Sequence, residues 1–136
     1  MRLIGRMKVR KLLRSQGHAK FLESVSHALD GIAYTASHER NFRIEIMAAC
    51  LVTVFSYFFH VSVIEWCILL LTISLVLVLE MVNTAIERTG DLVTKDYYEL
   101  AKNAKDVAAG AVLIASMFSI VLGILIFLPK IILLLK

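Results

Sequence analysis

Proline occurs once, tryptophan once, cysteine twice and glycine six times among the 136 residues of the chain. No Pro-, Gly- or Ser-rich stretch is therefore present at which to divide it, and a chain of this length reads as a single domain, 1–136. Cys50 and Cys67 both lie inside apolar runs, with neither CxxC nor metal-ligand spacing, which excludes a disulfide scaffold and gives no sign of a thiol catalyst. The soluble phosphate-binding loops are missing too: there is no GxxxxGK[ST], no GxGxxG and no HRD-type loop. Charge is scarce, at 19% of residues against 59% hydrophobic. Mean hydropathy is +0.77. These values exclude an ordinary soluble domain and a disordered tail, and point to a small integral membrane protein.

Three stretches approach the ~20 apolar residues that a bilayer core requires of a helix. The first, 46–64, is interrupted only by His60 and carries Tyr57, Phe58 and Phe59 at its far end, suited to a membrane boundary. The second, 66–86, starts at Trp66 and is uninterrupted as far as Leu79. The third, 107–128, has no charge and is followed by Pro129 and Lys130, read as a stop. Of the fifteen Lys and Arg residues nine precede Ile46, four lie between Glu87 and Val107, and none lies between Val61 and Glu65. By the positive-inside rule the N-terminus and the second loop are expected to be cytoplasmic. Residues 1–45 contain no unbroken apolar run of the ~7 to 15 residues that a cleaved signal needs after its basic start, so they are expected to remain in the mature protein. Within them Phe21, Leu22, Val25, Leu29, Ile32, Ala33 and Ala36 recur at helical spacing, with Lys20, Glu23, Ser24, His27 and Asp30 on other faces. That pattern is an amphipathic helix, lying on the membrane surface or packed on the spans. The basic start suits anionic lipid better than nucleic acid, because no aromatic interleaving or recognised nucleic-acid module accompanies it.

The second run continues as Glu80-Met-Val-Asn83-Thr84-Ala-Ile-Glu87. At 100° per residue Glu80, Thr84, Glu87 and Asp91 form a narrow stripe with Asn83 on its flank. Counted from Trp66, Glu80 lies ~21 Å along the helix and Glu87 ~10 Å further, so one acid is at lipid depth and the other near water. An acidic group near the membrane centre costs ~2.5–3.5 kcal/mol on insertion scales and usually marks function, although interhelical hydrogen bonding is the structural alternative. Glu39 and Arg43 share a helical face ahead of the first run, where Glu39 is placed to approach Glu87. Lys105 and Asp106 open the third run at the same level, where Lys105 taken alone reads as a positive-inside anchor. Paired carboxylates repel unless a cation lies between them, and magnesium favours carboxylate, water and phosphate oxygens. Such a set suits Mg-nucleotide and phosphoryl transfer.

The wording Glu80-Met-Val-Asn83-Thr84-Ala85-Ile86-Glu87, then Asp91 and Ala104-Lys105-Asp106-Val-Ala-Ala-Gly110-Ala-Val, resembles the signature of the bacterial integral-membrane diacylglycerol kinase family. The resemblance extends to Glu39-Arg-Asn-Phe-Arg43 and covers about residues 20–128. Within that family the chain looks most like the undecaprenol kinase branch. What the resemblance implies is an all-α membrane protein with an N-terminal amphipathic surface helix and three transmembrane helices. It implies transfer of the γ-phosphoryl of ATP, with Mg²⁺, to the hydroxyl of undecaprenol, diacylglycerol being the nearest alternative acceptor. Glu80 is then the catalytic base or positioning group and faces the lipid together with Arg43. Glu39 and Glu87 bind magnesium. Asn83, Asp96, Tyr97, Tyr98, Lys105 and Asp106 join those two acids around ATP. The diacylglycerol-specific members of the family differ, carrying Glu and His where this chain has Asp96 and Tyr98, and Tyr and Lys where it has His27 and Asp30.

The family is homotrimeric with active sites shared between chains, which implies the same here. Ala111, Ala115, Ser119 and Gly123 put a small residue at every fourth position of the last run and permit close helix approach, within a chain or between chains. The implied location is the bacterial cell membrane, with the site on the cytoplasmic side. Two other classes remain open on the residues alone. A small oligomeric transporter or ion-coupled channel would also place Glu80 and Asn83 at depth, and a membrane scaffold would make the stripe structural.

Overall fold

The computed structural model describes residues 2–93 and 98–136, with side chains from 20 to 92 and from 98 onward. Every described element is a helix: α1 (Arg2–His38), α2 (Arg40–Phe58), α3 (Val63–Val93) and α4 (Glu99–Leu134). The chain forms two compact units, Met1–Thr35 and Ala36–Lys136. The first is the long body of α1. On it Phe21, Leu22 and Leu29 are exposed, the apolar face expected of an amphipathic helix.

In the second unit α2, α3 and α4 are each long and apolar enough to cross a membrane. Their apolar side chains are mostly on the outside, with Leu71, Leu113, Phe118 and Leu125 all exposed. A helix satisfies its own backbone hydrogen bonds, so such a surface is stable against lipid or another apolar chain and unstable against water. The expected all-α membrane architecture is thus the one observed.

α1 and α2 are separated by a single extended residue, Glu39 (φ −100°, ψ 121°). The break is stabilised from α2, where Arg43 Nη1 donates to the Ser37 carbonyl at 2.9 Å and to that of Ala36 at 3.4 Å. Those are carbonyls of the last turn of α1, which no helical N–H can reach.

The apolar run 46–64 is divided by a turn rather than carried through as one helix. α2 ends at Phe58, and His60 adopts the left-handed conformation at φ 48°. His60 N donates to the Tyr57 carbonyl and Val61 N to that of Ser56, the double closure typical of a helix terminated by a left-handed residue. Val61, the residue just past the turn, is buried and completes the closure with an apolar contact. A capping box opens α3: Glu65 N donates to Ser62 Oγ, and Ser62 N donates to Glu65 Oε2 at 2.6 Å.

Around this turn lies the apolar core, Val61, Leu69 and Ile126 with Val52, Phe59, Trp66 and Phe127. Phe59 meets Phe58 edge-on at 5.2 Å between ring centroids, a favourable arrangement of aromatic quadrupoles. Lys130 Nζ lies 3.1 Å from Glu65 and ties the far part of α4 to the start of α3. α4 does not stop at Pro129 but continues to Leu134. Proline removes one donor and kinks a helix without having to end it where neighbouring turns hold. α3 packs more extensively on α4 than on α2. Because α2 and α3 are joined by a tight turn at the core end, the start of α2 is brought beside the later half of α3.

Candidate active site

At that opposite end a polar cluster is built on one face of α3. Glu80, Asn83 and Thr84 are all buried, and Glu80 is only 3% exposed. Of the stripe expected from helical spacing, Glu80 and Thr84 therefore lie on the face that α3 turns inward, with Asn83 on its flank, whereas Glu87 is half-buried and Asp91 is exposed. Thr84 Oγ1 donates to the Glu80 carbonyl at 3.0 Å and so consumes its own donor within the helix. One turn later Asn83 Nδ2 donates to Glu87 Oε1 at 3.1 Å. This bond fixes the Glu87 carboxylate along the axis and leaves Asn83 Oδ1 buried without a partner. An orphaned buried acceptor beside a carboxylate is an unusual expense in a fold and marks a place suited to a cation.

Glu39 reaches the same level of α3 from its position ahead of α2. Its Oε1 accepts from Arg88 Nη2 at 2.7 Å. Glu80 stands within electrostatic reach of both Glu87 and Glu39, so three carboxylates share one region. Among the described residues no group of three or more His, Cys, Asp and Glu closes into a metal cage. Two acids and an amide oxygen would suit a magnesium ion that keeps waters and takes the rest of its shell from phosphates.

A fourth acid, Glu45 on α2, was not singled out from the sequence. Its Oε2 is buried with no hydrogen-bond partner, and it feels the charge of Glu80. Glu45 also lines a groove of about 680 Å³ between α2, α3 and α4, whose other walls include Ile44, Val52, Phe55, Leu69 and Ile124. The signal available in the sequence was its place one turn beyond Asn41 at the edge of the first apolar run. What that place faces depends on α3 and α4.

The remaining expected residues are distributed differently. Arg43 holds the carbonyls of α1. Lys105 crosses from α4 to pair with Asp91 on α3. Gly90 makes that crossing possible, because a Cβ there would stand 2.8 Å from Lys105 Cε. Asp106 is exposed and accepts from Lys102 Nζ at 2.7 Å on its own helix. Tyr98 is the exposed residue ahead of α4 and lines a second groove, of about 850 Å³, with Val82, Ile86, Thr89 and Ala101. Asp96 and Tyr97 lie outside the described residues. The structure thus gathers Glu39, Glu80, Asn83 and Glu87, adds Glu45 and Arg88, and pairs Asp106 with Lys102.

Comparison with known proteins identifies the family. The profile described as prokaryotic diacylglycerol kinase matches residues 26–127. The chain is 48% identical over 111 residues to the undecaprenol kinase of Bacillus subtilis, covering 82% of this chain and 90% of that protein. It is 41% identical over 109 residues to a diacylglycerol kinase of Synechocystis, covering 79% and 62% respectively. Against the diacylglycerol kinase of Escherichia coli K12 the identity is 30% over 105 residues, covering 77% of this chain and 86% of that protein. A buried acid stripe on a three-span helical scaffold, and a profile that runs from α1 to the later part of α4, lead to one conclusion: the chain belongs to the prokaryotic diacylglycerol kinase family.

Proposed function

We propose that this membrane lipid kinase transfers the γ-phosphoryl of ATP to the hydroxyl of undecaprenol. The observation that carries this reading is the position of Glu80. Its buried carboxylate is within electrostatic reach of the acids Glu39 and Glu87 and of Glu45, which lines an apolar groove. A lipid lying with its chain in that groove presents its hydroxyl among Glu45 and Glu80. Glu80 accepts the hydroxyl proton as the oxygen attacks the γ-phosphorus, the bond to the bridging oxygen breaks and ADP leaves. Because phosphoryl transfer needs little covalent help, holding the two reactants in line is the larger part of the catalysis.

Glu39, Glu87 and the free Asn83 Oδ1 are the residues suited to hold magnesium, which supplies charge neutralisation to the phosphates when bound. Lys105 is the nearby lysine suited to the nucleotide, and Tyr98 stands ahead of α4 at the same end. Arg43 serves the lipid side by fixing the corner from which Glu45 and Glu39 are presented.

The similarity to a protein named undecaprenol kinase over most of both chains favours a polyprenol acceptor, and the name diacylglycerol kinase on other relatives favours the alternative. The working unit in this proposal is a homotrimer in the bacterial cell membrane, with the N-terminus and the acid cluster facing the cytoplasm. The excess of Lys and Arg before Ile46 supports that orientation. The test is ATP-dependent phosphorylation in mixed micelles, with undecaprenol and diacylglycerol presented separately at matched surface concentration beside a Glu80→Ala variant. Faster turnover of undecaprenol, abolished by the substitution, supports the proposal. Preference for diacylglycerol replaces the acceptor, and no turnover with either lipid removes the kinase reading.

A further inference from the structure

Glu39, assigned above to magnesium, is already engaged. Arg88 Nη2 donates to its Oε1 at 2.7 Å, across 49 positions of sequence. The Glu39 side chain is 20% exposed and that of Arg88 48%, so the acid is largely withdrawn from water while the guanidinium keeps a route away from it. Arg88 directly follows Glu87 on α3, so one turn of that helix carries both a carboxylate of the proposed metal site and the cation that holds the other. Two cations competing for one carboxylate repel each other strongly at contact distance, and the repulsion is greater in a partly desolvated site than in water. A divalent ion that takes Glu39 therefore displaces the guanidinium. The displaced group is left beside whatever anion the metal brings, and its planar fork of donors matches phosphate oxygens.

We propose that Arg88 is a nucleotide-binding residue that is exchanged: it holds Glu39 until the metal-nucleotide arrives, then gives up that carboxylate for the phosphates. The ion pair is a placeholder that keeps the acid cluster from repelling itself and loads a phosphate ligand next to the site. Lys105, bonded to Asp91, is held by a carboxylate in the same manner on the neighbouring helix, so the exchange at Arg88 does not lack a second cation. The inference rests on the metal and nucleotide assignments of the proposed function.

The test separates metal from nucleotide in the full chain reconstituted in nanodiscs. Binding of Mn²⁺ alone is followed by paramagnetic resonance, and a non-hydrolysable ATP analogue is titrated at saturating Mn²⁺. Wild type, Arg88→Gln and Arg88→Lys are compared, with circular dichroism as the check on folding. Removing the guanidinium is expected to tighten Mn²⁺ about tenfold and to weaken the analogue about tenfold, the size of one charge-assisted hydrogen bond in each direction. The lysine variant is expected between wild type and Arg88→Gln on both readouts, and it alone decides if the glutamine variant loses helix. Unchanged or weaker Mn²⁺ binding overturns the competition, and unchanged analogue binding overturns the transfer to phosphate. A wild type that binds neither probe overturns the metal and nucleotide assignments themselves, an outcome distinct from a variant that matches wild type.

Discussion

At the scale of single residues, the site is a problem in where unpaired polar atoms are tolerated. Glu80 is as buried as the apolar core residue Leu69, at 3% and 4% exposure, and the cost of keeping an acid there is large enough to require a use. Glu80→Gln keeps the shape and removes the base. The expected result is a fall in kcat of about 10³-fold with helical content unchanged, within the range that general bases contribute. A fall of less than about tenfold would assign proton removal elsewhere. Glu45 has a different part, because it lines the apolar groove and Glu39 and Glu87 do not. For Glu45→Gln the KM for lipid is expected to rise about tenfold, as for loss of one hydrogen bond to a charged group, while the KM for ATP stays constant. Steady-state kinetics with each substrate varied in turn reads both. The stripe Glu80, Thr84, Glu87 with Asn83 on its flank was legible from the helical period alone, whereas Asp91, expected on the same stripe, is exposed. Glu45 and the Arg88 contact were not, since each depends on which helix stands opposite.

At the scale of elements, the turn between α2 and α3 sets the register of the whole site. It positions the start of α2 against the later half of α3 by ending one helix and beginning the next within a few residues. Ser62 and Glu65 cap each other reciprocally, and Glu65 also holds Lys130 of α4. Glu65→Ala removes the cap and the interhelical pair together. It is expected to lower stability by ~1–2 kcal/mol, read as an earlier unfolding midpoint in mixed detergent titrations. His60→Gly is expected to act in the other direction. A left-handed conformation costs a non-glycine residue ~1–2 kcal/mol, and His60 holds φ 48°. The same titration should show a later midpoint, and an earlier one would mean that the imidazole contributes more than the backbone costs. This turn explains why the first apolar run misled as to where its helix ends: His60 takes the place where a glycine would have signalled a helix end. Hydropathy cannot distinguish apolar residues in a helix from apolar residues in a tight turn buried at its end.

At the scale of the whole molecule, the three apolar helices leave most of their large side chains outside. Leu71 is 72% exposed and Phe118 66%. Lipid covers such a surface without further structure, and a neighbouring chain covers it equally well. Under the homotrimer proposal, the protein extracted in mild detergent and measured by native mass spectrometry is expected at three times the chain mass of 15.3 kDa. A mass of one chain, together with full turnover, would place the complete active site on a single copy. The small residues Ala111, Ala115, Ser119 and Gly123 are where close helix approach is permitted, and Ala115 is buried within the chain.

Composition and periodicity were enough to establish a helical membrane protein of three spans and the acid stripe on the second, because both follow from the local rule that residues three and four apart share a helix face. The pattern of residues around Glu80, Glu87 and Lys105 was enough to point to the family. The meeting of Glu39 with Arg88, the tie of Lys105 to Asp91 and the burial of the free oxygens of Glu45 and Asn83 were settled by folding. Each depends on how the helices stand against one another. The relative rotation and register of two helices come from the turn that joins them and the side chains packed between them, and no single stretch of sequence carries that information.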